Sequence, residues 1–186
     1  MATMQNVRNG VNVDQLADAV NAVRADPHNG DLEFTVRSEW KGGFKAQHTP
    51  TTYVVGREHG RHERTYTMST DEPKEILGQD TGISPAETLL SALAACLSAG
   101  YAAAAATMGI DLEEVSFEIT GKGNLSGFMA IGQERPGLTD VRVKALVKSS
   151  APKEKLQELH EFVNAHSPIW DSISRPVRVT SQLATK

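Results

Sequence analysis

The sequence predicts an α+β protein in which antiparallel sheets pack on one long central helix. Three observations carry that prediction. Short runs of alternating apolar and polar residues stand on both sides of a single long apolar stretch. That stretch opens on Ser84-Pro85-Ala86-Glu87 and closes on Gly109, a helix start and a helix stop. After it come two strand-like runs, an amphipathic helix and one more strand-like run, an order that suits an antiparallel α+β layout.

Taken in order, Asn12 to Ala25 reads as a short helix. Leu16, Ala19, Val20 and Val23 fall at helical spacing and Asp14 is placed to cap its start. The helix ends at Asp26-Pro27-His28-Asn29-Gly30, so residues 1–30 are read as an N-terminal extension and residues 31–186 as the main domain. Leu32, Phe34 and Val36 alternate as a strand that Trp40 closes before Gly42-Gly43. Phe44 to Val55 and Glu63 to Ser69 read as two more strands joined by the polar loop Gly56 to His62, and Asp71 to Gly82 as a turn-rich loop.

The central helix follows. Ser84 and Glu87 form a capping box, with proline at the first helical position. The helix can run to Met108, roughly 37 Å at 1.5 Å per residue. It is apolar or small nearly all round, so burial on several sides is expected, and its alanines and glycine let another helix approach. Val115, Phe117 and Ile119 alternate, Gly121 to Gly137 is an irregular excursion, and Val141 to Val147 alternate again. Pro152 to Ala165 is amphipathic, with Leu156, Leu159, Phe162 and Val163 as its buried stripe. His166-Ser167-Pro168 breaks it, Ile169 to Ile173 adds one helical turn, and Val177 and Val179 read as a last strand.

Composition narrows the function. The chain has 186 residues, 39% hydrophobic and 23% charged, the size of one domain able to bury a core unaided. A net charge of −4 implies no broad basic face, so neither nucleic acid nor a membrane surface is an expected partner. The stretch Thr88 to Met108 is apolar, but alanine dominates it and Ser91, Ser98 and Thr107 interrupt it, so it reads as a buried core helix. The N-terminus carries no signal-peptide core, and the single cysteine, Cys96, makes no intrachain disulfide; both fit a cytoplasmic protein. No metal site and no cofactor are expected: there is no CxxC pair, and the glycine-rich stretches lack the strand–loop–helix setting and lysine of a phosphate loop. His59 and His62 lie among arginines and read as a solvated charged loop, and no GxSxG elbow is present.

Cys96 is the one candidate nucleophile. Local sequence by itself favours a small buried core residue, because free cysteine is among the most buried side chains. A reactive thiol needs a cation, a donor or a helix N-terminus near it, and Cys96 lies about three turns into its own helix. Glu87 stands nine residues earlier, roughly half a turn round and about 13.5 Å away. The two side chains of one chain cannot meet along this helix, so cooperation between them requires a second copy.

The run Thr81-Gly82-Ile83-Ser84-Pro85-Ala86-Glu87-Thr88-Leu89-Leu90-Ser91-Ala92-Leu93-Ala94-Ala95-Cys96-Leu97 resembles the central-helix motif of the OsmC/Ohr family, the osmotically induced and organic hydroperoxide resistance proteins. Trp40-Lys41-Gly42-Gly43, Asp71-Glu72-Pro73, Gly109-Ile110-Asp111-Leu112-Glu113, Arg135-Pro136-Gly137 and Ser167-Pro168-Ile169-Trp170-Asp171 with Arg175-Pro176-Val177 extend the match over about residues 32 to 182. The resemblance implies an intertwined homodimer, two long helices against antiparallel sheets, and thiol-dependent reduction of organic hydroperoxides at the subunit interface. Cys96 matches the attacking cysteine, with Glu87 as its acidic partner and Leu93 and Leu97 as substrate-binding residues. The resolving cysteine of the family falls at Ser167, so a one-cysteine cycle finished by an external thiol is implied. The family's glutamate directly after the proline is Ala86 here, with Glu87 one place later. Its thiolate-pairing arginine has no clear match; Arg37, Lys45 and His48 are the candidates. The alternative is a non-enzymatic protein that binds a small apolar ligand at the dimer interface.

Overall fold

In the computed structural model, which describes residues 6–185, the chain begins with a minimal hairpin, β1 (Val7–Arg8) and β2 (Val11–Asn12), turning at Asn9 and Gly10. Helix α1 (Val13–Ala25) follows at once. Its cap is Asn12, not Asp14: Asn12 keeps extended backbone and its side chain accepts from Gln15 N, whereas Asp14 is already inside the first turn. The hairpin is pinned to the far end of the central helix. Asn9 donates to Ile110 O and accepts from Leu112 N, both at 2.9 Å, and Arg8 pairs with Asp111 at 3.2 Å.

The first sheet is antiparallel and contains β3 (Leu32–Trp40), β4 (Ala46–Val55), β5 (Glu58–Gly60) and β6 (Met68–Thr70). The β3–β4 register shifts between Thr35 and Val36, opposite Pro50. A proline has no N–H to give the ladder, so a bulge there removes the mismatch. The strand expected over Glu63 to Ser69 is not formed as read. Gly56, in the left-handed region at φ 60°, turns the chain tightly enough for Glu58–Gly60 to pair back on β4. Only Met68–Thr70 of the later run then joins the sheet.

The second half is built on α2 (Pro85–Met108). Both ends fall where the sequence places them, with Ser84 as N-cap and Gly109 left-handed at φ 74°. Strands β7 (Glu114–Lys122) and β8 (Asp140–Lys148) form an antiparallel pair, with the short helix α3 (Leu125–Phe128) in the excursion between them. Helices α4 (Lys153–His166) and α5 (Pro168–Ser174) close the structure. The core is Leu93, Leu97, Tyr101, Ala104, Ala105, Ile110, Leu159 and Val163, with the inner faces of β7 and β8 packed against it. The helix that approaches α2 closely is α4: a Cβ on Gly100 would lie 2.9 Å from Val163.

Three expectations change here. The central helix, long and apolar enough by length and composition to cross a membrane, is buried along one face only. Leu93, Leu97, Tyr101 and Ala104–Ala106 are buried, while Ser91, Ala92, Ala95, Ser98 and Ala99 are exposed. Phe162 is 44% exposed, because Leu159 and Val163 point at α2 and Phe162 stacks on His166 instead. Val177 and Val179 form no strand; no ladder reaches them, and they are 57% and 83% exposed.

Candidate functional site: the Cys96–Ser167 pair

The capping box fixes the start of α2. Ser84 Oγ accepts from Glu87 N at 3.2 Å, and Glu87 Oε2 accepts from Ser84 N at 2.8 Å. The Ser84 backbone N–H, then its hydroxyl, hold the Glu87 carboxyl below the usual glutamate range against a small opposing effect of burial. Upstream, the loop from Asp71 to Ile83 is organised by a residue that the sequence placed in a turn-rich loop and in a family-like segment, without a role of its own. Asp71 is 1% exposed and accepts from Glu72 N, Gln79 N, Thr81 N and Thr81 Oγ1 at 2.8–3.2 Å. Burial pushes its pKa up, and these four donors together outweigh burial and hold it below the usual value.

Cys96 is half-buried, and its Sγ lies 3.2 Å from Ser167 Oγ. Ser167 is 5% exposed and occupies the break between α4 and α5, where it is the N-cap of α5. Its Oγ accepts from Trp170 N at 3.2 Å. One lone pair of the hydroxyl is thereby engaged, and its proton remains free to point at sulfur. The arrangement offers a donor to a thiolate and an acceptor to a thiol.

The other expected site residues are placed as follows. Leu93 is 1% exposed and lines a cavity of about 250 Å³ with Arg135, Leu138, Trp170, Ile173 and Ser174. Leu97 is a core residue with 0% exposure. Glu87 is on the opposite side of α2 from Cys96, as nine helical residues require. Lys45 donates to Gln79 Oε1 at 3.0 Å, His48 bonds Thr70 Oγ1 at 2.9 Å, and Arg37 lies in β3 opposite Thr49. Among the described residues, Ser167 is the hydrogen-bond partner of Cys96, and none of these three side chains is. His62, in the charged loop, sits between Tyr53 and Tyr66 with ring centroids 5.4 and 5.3 Å away.

A second polar contact was hidden in the alanine run. Tyr101, 1% exposed, bonds His160 Nδ1 at 2.5 Å, and His160 Nε2 lies 3.0 Å from Asn164 Nδ2. Burial pushes the Tyr101 phenol up. This pair ties α2 to α4 on the side that carries the core.

Comparison with known proteins bears on the whole arrangement. No curated protein matches the chain in sequence. Solved structures do match it in fold. An OsmC-like protein from Mycoplasma pneumoniae superposes with a TM-score of 0.58 at 17% identity, covering 76% of this chain and 87% of that one. An organic hydroperoxide resistance protein OsmC from Legionella pneumophila gives 0.55 at 16%, covering 76% and 88%. An OsmC-like protein of unknown function from Vibrio cholerae gives 0.54 at 14%, covering 75% and 92%. At these identities the likeness concerns the fold. The family model for OsmC-like proteins matches residues 78–182, more than half of the chain and inclusive of Cys96 and Ser167. The chain belongs to the OsmC-like protein family.

Proposed function

We propose that the protein is a one-cysteine thiol peroxidase that reduces organic hydroperoxides and is restored by an external thiol. The observation that carries this reading is the Cys96–Ser167 contact at 3.2 Å, with Ser167 held in place by the Trp170 N–H. The Cys96 thiolate attacks one peroxide oxygen and the O–O bond breaks. Cysteine sulfenic acid forms, and the alkoxide takes a proton and leaves as the alcohol. One external thiol condenses with the sulfenic acid to a mixed disulfide and water. A second displaces it, returning Cys96 and releasing the external disulfide. Ser167 stands where the family's resolving cysteine falls and cannot form that bond. Its role here is to donate to sulfur.

The reading includes a homodimer. Glu87 and Cys96 lie on opposite sides of α2, with the exposed small-residue face of Ser91, Ala95 and Ser98 between them. A second α2 laid on that face would bring its own Glu87 toward Cys96. The name of the Legionella relative supports organic hydroperoxides as the substrate class, and an unpaired cysteine suits a reducing compartment such as the cytoplasm. A second reading is a non-enzymatic binder of a small apolar ligand at the dimer interface, with Cys96 as a lining residue. It is favoured by the absence, among the described residues, of a cation bonded to Cys96.

Treatment with cumene hydroperoxide in the presence of a sulfenic-acid trap separates the two. The expected result is stoichiometric trapping at Cys96 in the folded protein and none in Cys96→Ser. Trapping no faster than in the denatured chain overturns the enzyme reading and leaves the binder.

A further inference from the structure

Beside the first turns of α2 lies a second cavity, of about 470 Å³, within the size range of small-ligand sites. One wall is the segment 72–77, the other is α3 with residues 136–138, and Pro85, Ala86 and Leu89 form its floor. Phe44, Leu77, Leu89, Leu125, Phe128 and Met129 line it, and each is at least 40% exposed. Apolar surface gathered into one concavity marks a binding site more than a solvated face. The walls are also preformed. A Cβ on Gly78 would collide with the backbone of Glu72, and one on Gly127 with the backbone of Arg135, so each wall is locked by a close backbone approach. Leu77 is held in the left-handed region at φ 72°, a conformation that leucine keeps only where its surroundings impose it.

The charge in this cavity is one-sided. Glu72 is the ionisable side chain among those lining it. Its carboxylate makes no ion pair and accepts no hydrogen bond among the described residues, whereas Asp71 has four donors and Glu87 has the Ser84 N–H. Burial, then the Asp71 charge, then that of Glu87, push the Glu72 pKa up. An anion entering here would meet like charges. A cation would relieve them, and the rings of Phe44 and Phe128 suit its hydrocarbon part.

We propose that this cavity binds an apolar primary amine, an arylalkyl or alkyl chain in the cleft with its ammonium group on Glu72. Within one chain neither Cys96 nor Ser167 lines it, and binding there does not depend on peroxide chemistry. It is tested by calorimetric titration of the full chain with 4-phenylbutylamine, 4-phenylbutanol and 4-phenylbutyrate. The amine should bind about tenfold tighter than the alcohol, and the acid weakest. Glu72→Gln should bring the amine to the level of the alcohol while leaving Cys96 trapping unchanged. Phe128→Ser should weaken amine and alcohol alike, a readout that stands even where Glu72→Gln does not fold. Alcohol or acid binding as tightly as the amine, amine binding that survives Glu72→Gln, or no binding by any of the three overturns the proposal.

Discussion

The two halves of the chain make opposite use of the same kind of residue. In the C-terminal half, alternating apolar side chains of β7 and β8 pack on α2, and Leu159 and Val163 fill the space behind it. In the N-terminal sheet the alternation is as regular, yet nothing among the described residues covers it. Leu32, Phe34, Val36 and Trp40 share a face of β3 and are 58–76% exposed. No residue of β3, β4 or β5 is buried. One half therefore carries its own core, and the other has a core-like face without a partner. Hydrophobic patterning specifies which side of a strand wants burial; it does not say whether the covering element belongs to the same chain.

Substitutions that separate the halves should rank by this difference. Leu159→Ala removes a fully buried side chain from the only core that the described residues form. It should cost about 2–5 kcal/mol, read as a fall in the denaturation midpoint at any protein concentration. Phe34→Ser comes next. In a lone chain, a residue 70% exposed should matter by less than about 0.5 kcal/mol. The homodimer reading expects a loss of about 1.5–3 kcal/mol, with light scattering showing monomer where the parent is dimeric. An unchanged midpoint and unchanged mass would mean that the face stays bare.

What was legible follows from how local each signal is. The bounds of α2 were readable because Ser84, Pro85, Glu87 and Gly109 act within one turn of the residues they cap. The alternation in β7 and β8 was readable for the same reason. The strand over Glu63 to Ser69 was misread because pairing with β4 had already been taken by Glu58–Gly60, an outcome of one turn at Gly56. Val177 and Val179 have the pattern of a strand but no neighbouring ladder among the described residues. In the site, Cys96 was conspicuous by being single. Its contact with Ser167 spans 71 residues, and no periodicity reports a contact at that range; only the family resemblance linked Ser167 to Cys96. Asp71 and Tyr101 escaped for a related reason, since each is defined by partners supplied by folding.

The segment joining the halves offers a test of intermediate size. Asp71 holds the loop before α2 through four hydrogen bonds, and Asp71→Asn replaces a charged acceptor with a weaker one and adds an amide that has no place among donors. The melting temperature should fall by several degrees. The pH dependence has a definite sign. The folded pKa lies below the ordinary aspartate value, so the stabilisation is fully present above that ordinary value and is lost as pH falls through the lowered folded one. Acid titration of the parent and of Asp71→Asn should therefore converge at low pH. A constant gap down to acid would show that the carboxylate charge contributes nothing. Ser167→Ala should act more narrowly, slowing sulfenic-acid trapping at Cys96 by about tenfold, the weight of one hydrogen bond to a charged group, with only a small change in midpoint from the lost α5 cap.

The smallest expected effect on stability carries the most information about whether the halves of two chains meet. Glutamine at position 87 can still accept from the Ser84 N–H, so Glu87→Gln keeps the capping box and should shift the denaturation midpoint at neutral pH by less than about 0.5 kcal/mol. It removes the charge, and with it a stabilisation present above the ordinary glutamate pKa and lost as pH falls through the lowered folded value. If the cap were the whole role of Glu87, trapping at Cys96 would be unaffected, because helical geometry holds the two side chains of one chain about 13.5 Å apart. If a second copy lays its own Glu87 beside Cys96, the variant should trap several-fold more slowly while melting like the parent. Mixing Glu87→Gln with Cys96→Ser then settles which chain acts on which. The mixed dimer pairs an intact Cys96 with an intact Glu87 from the other subunit, and trapping should recover. Failure to recover, with subunit exchange verified by mass, would confine Glu87 to its helix cap.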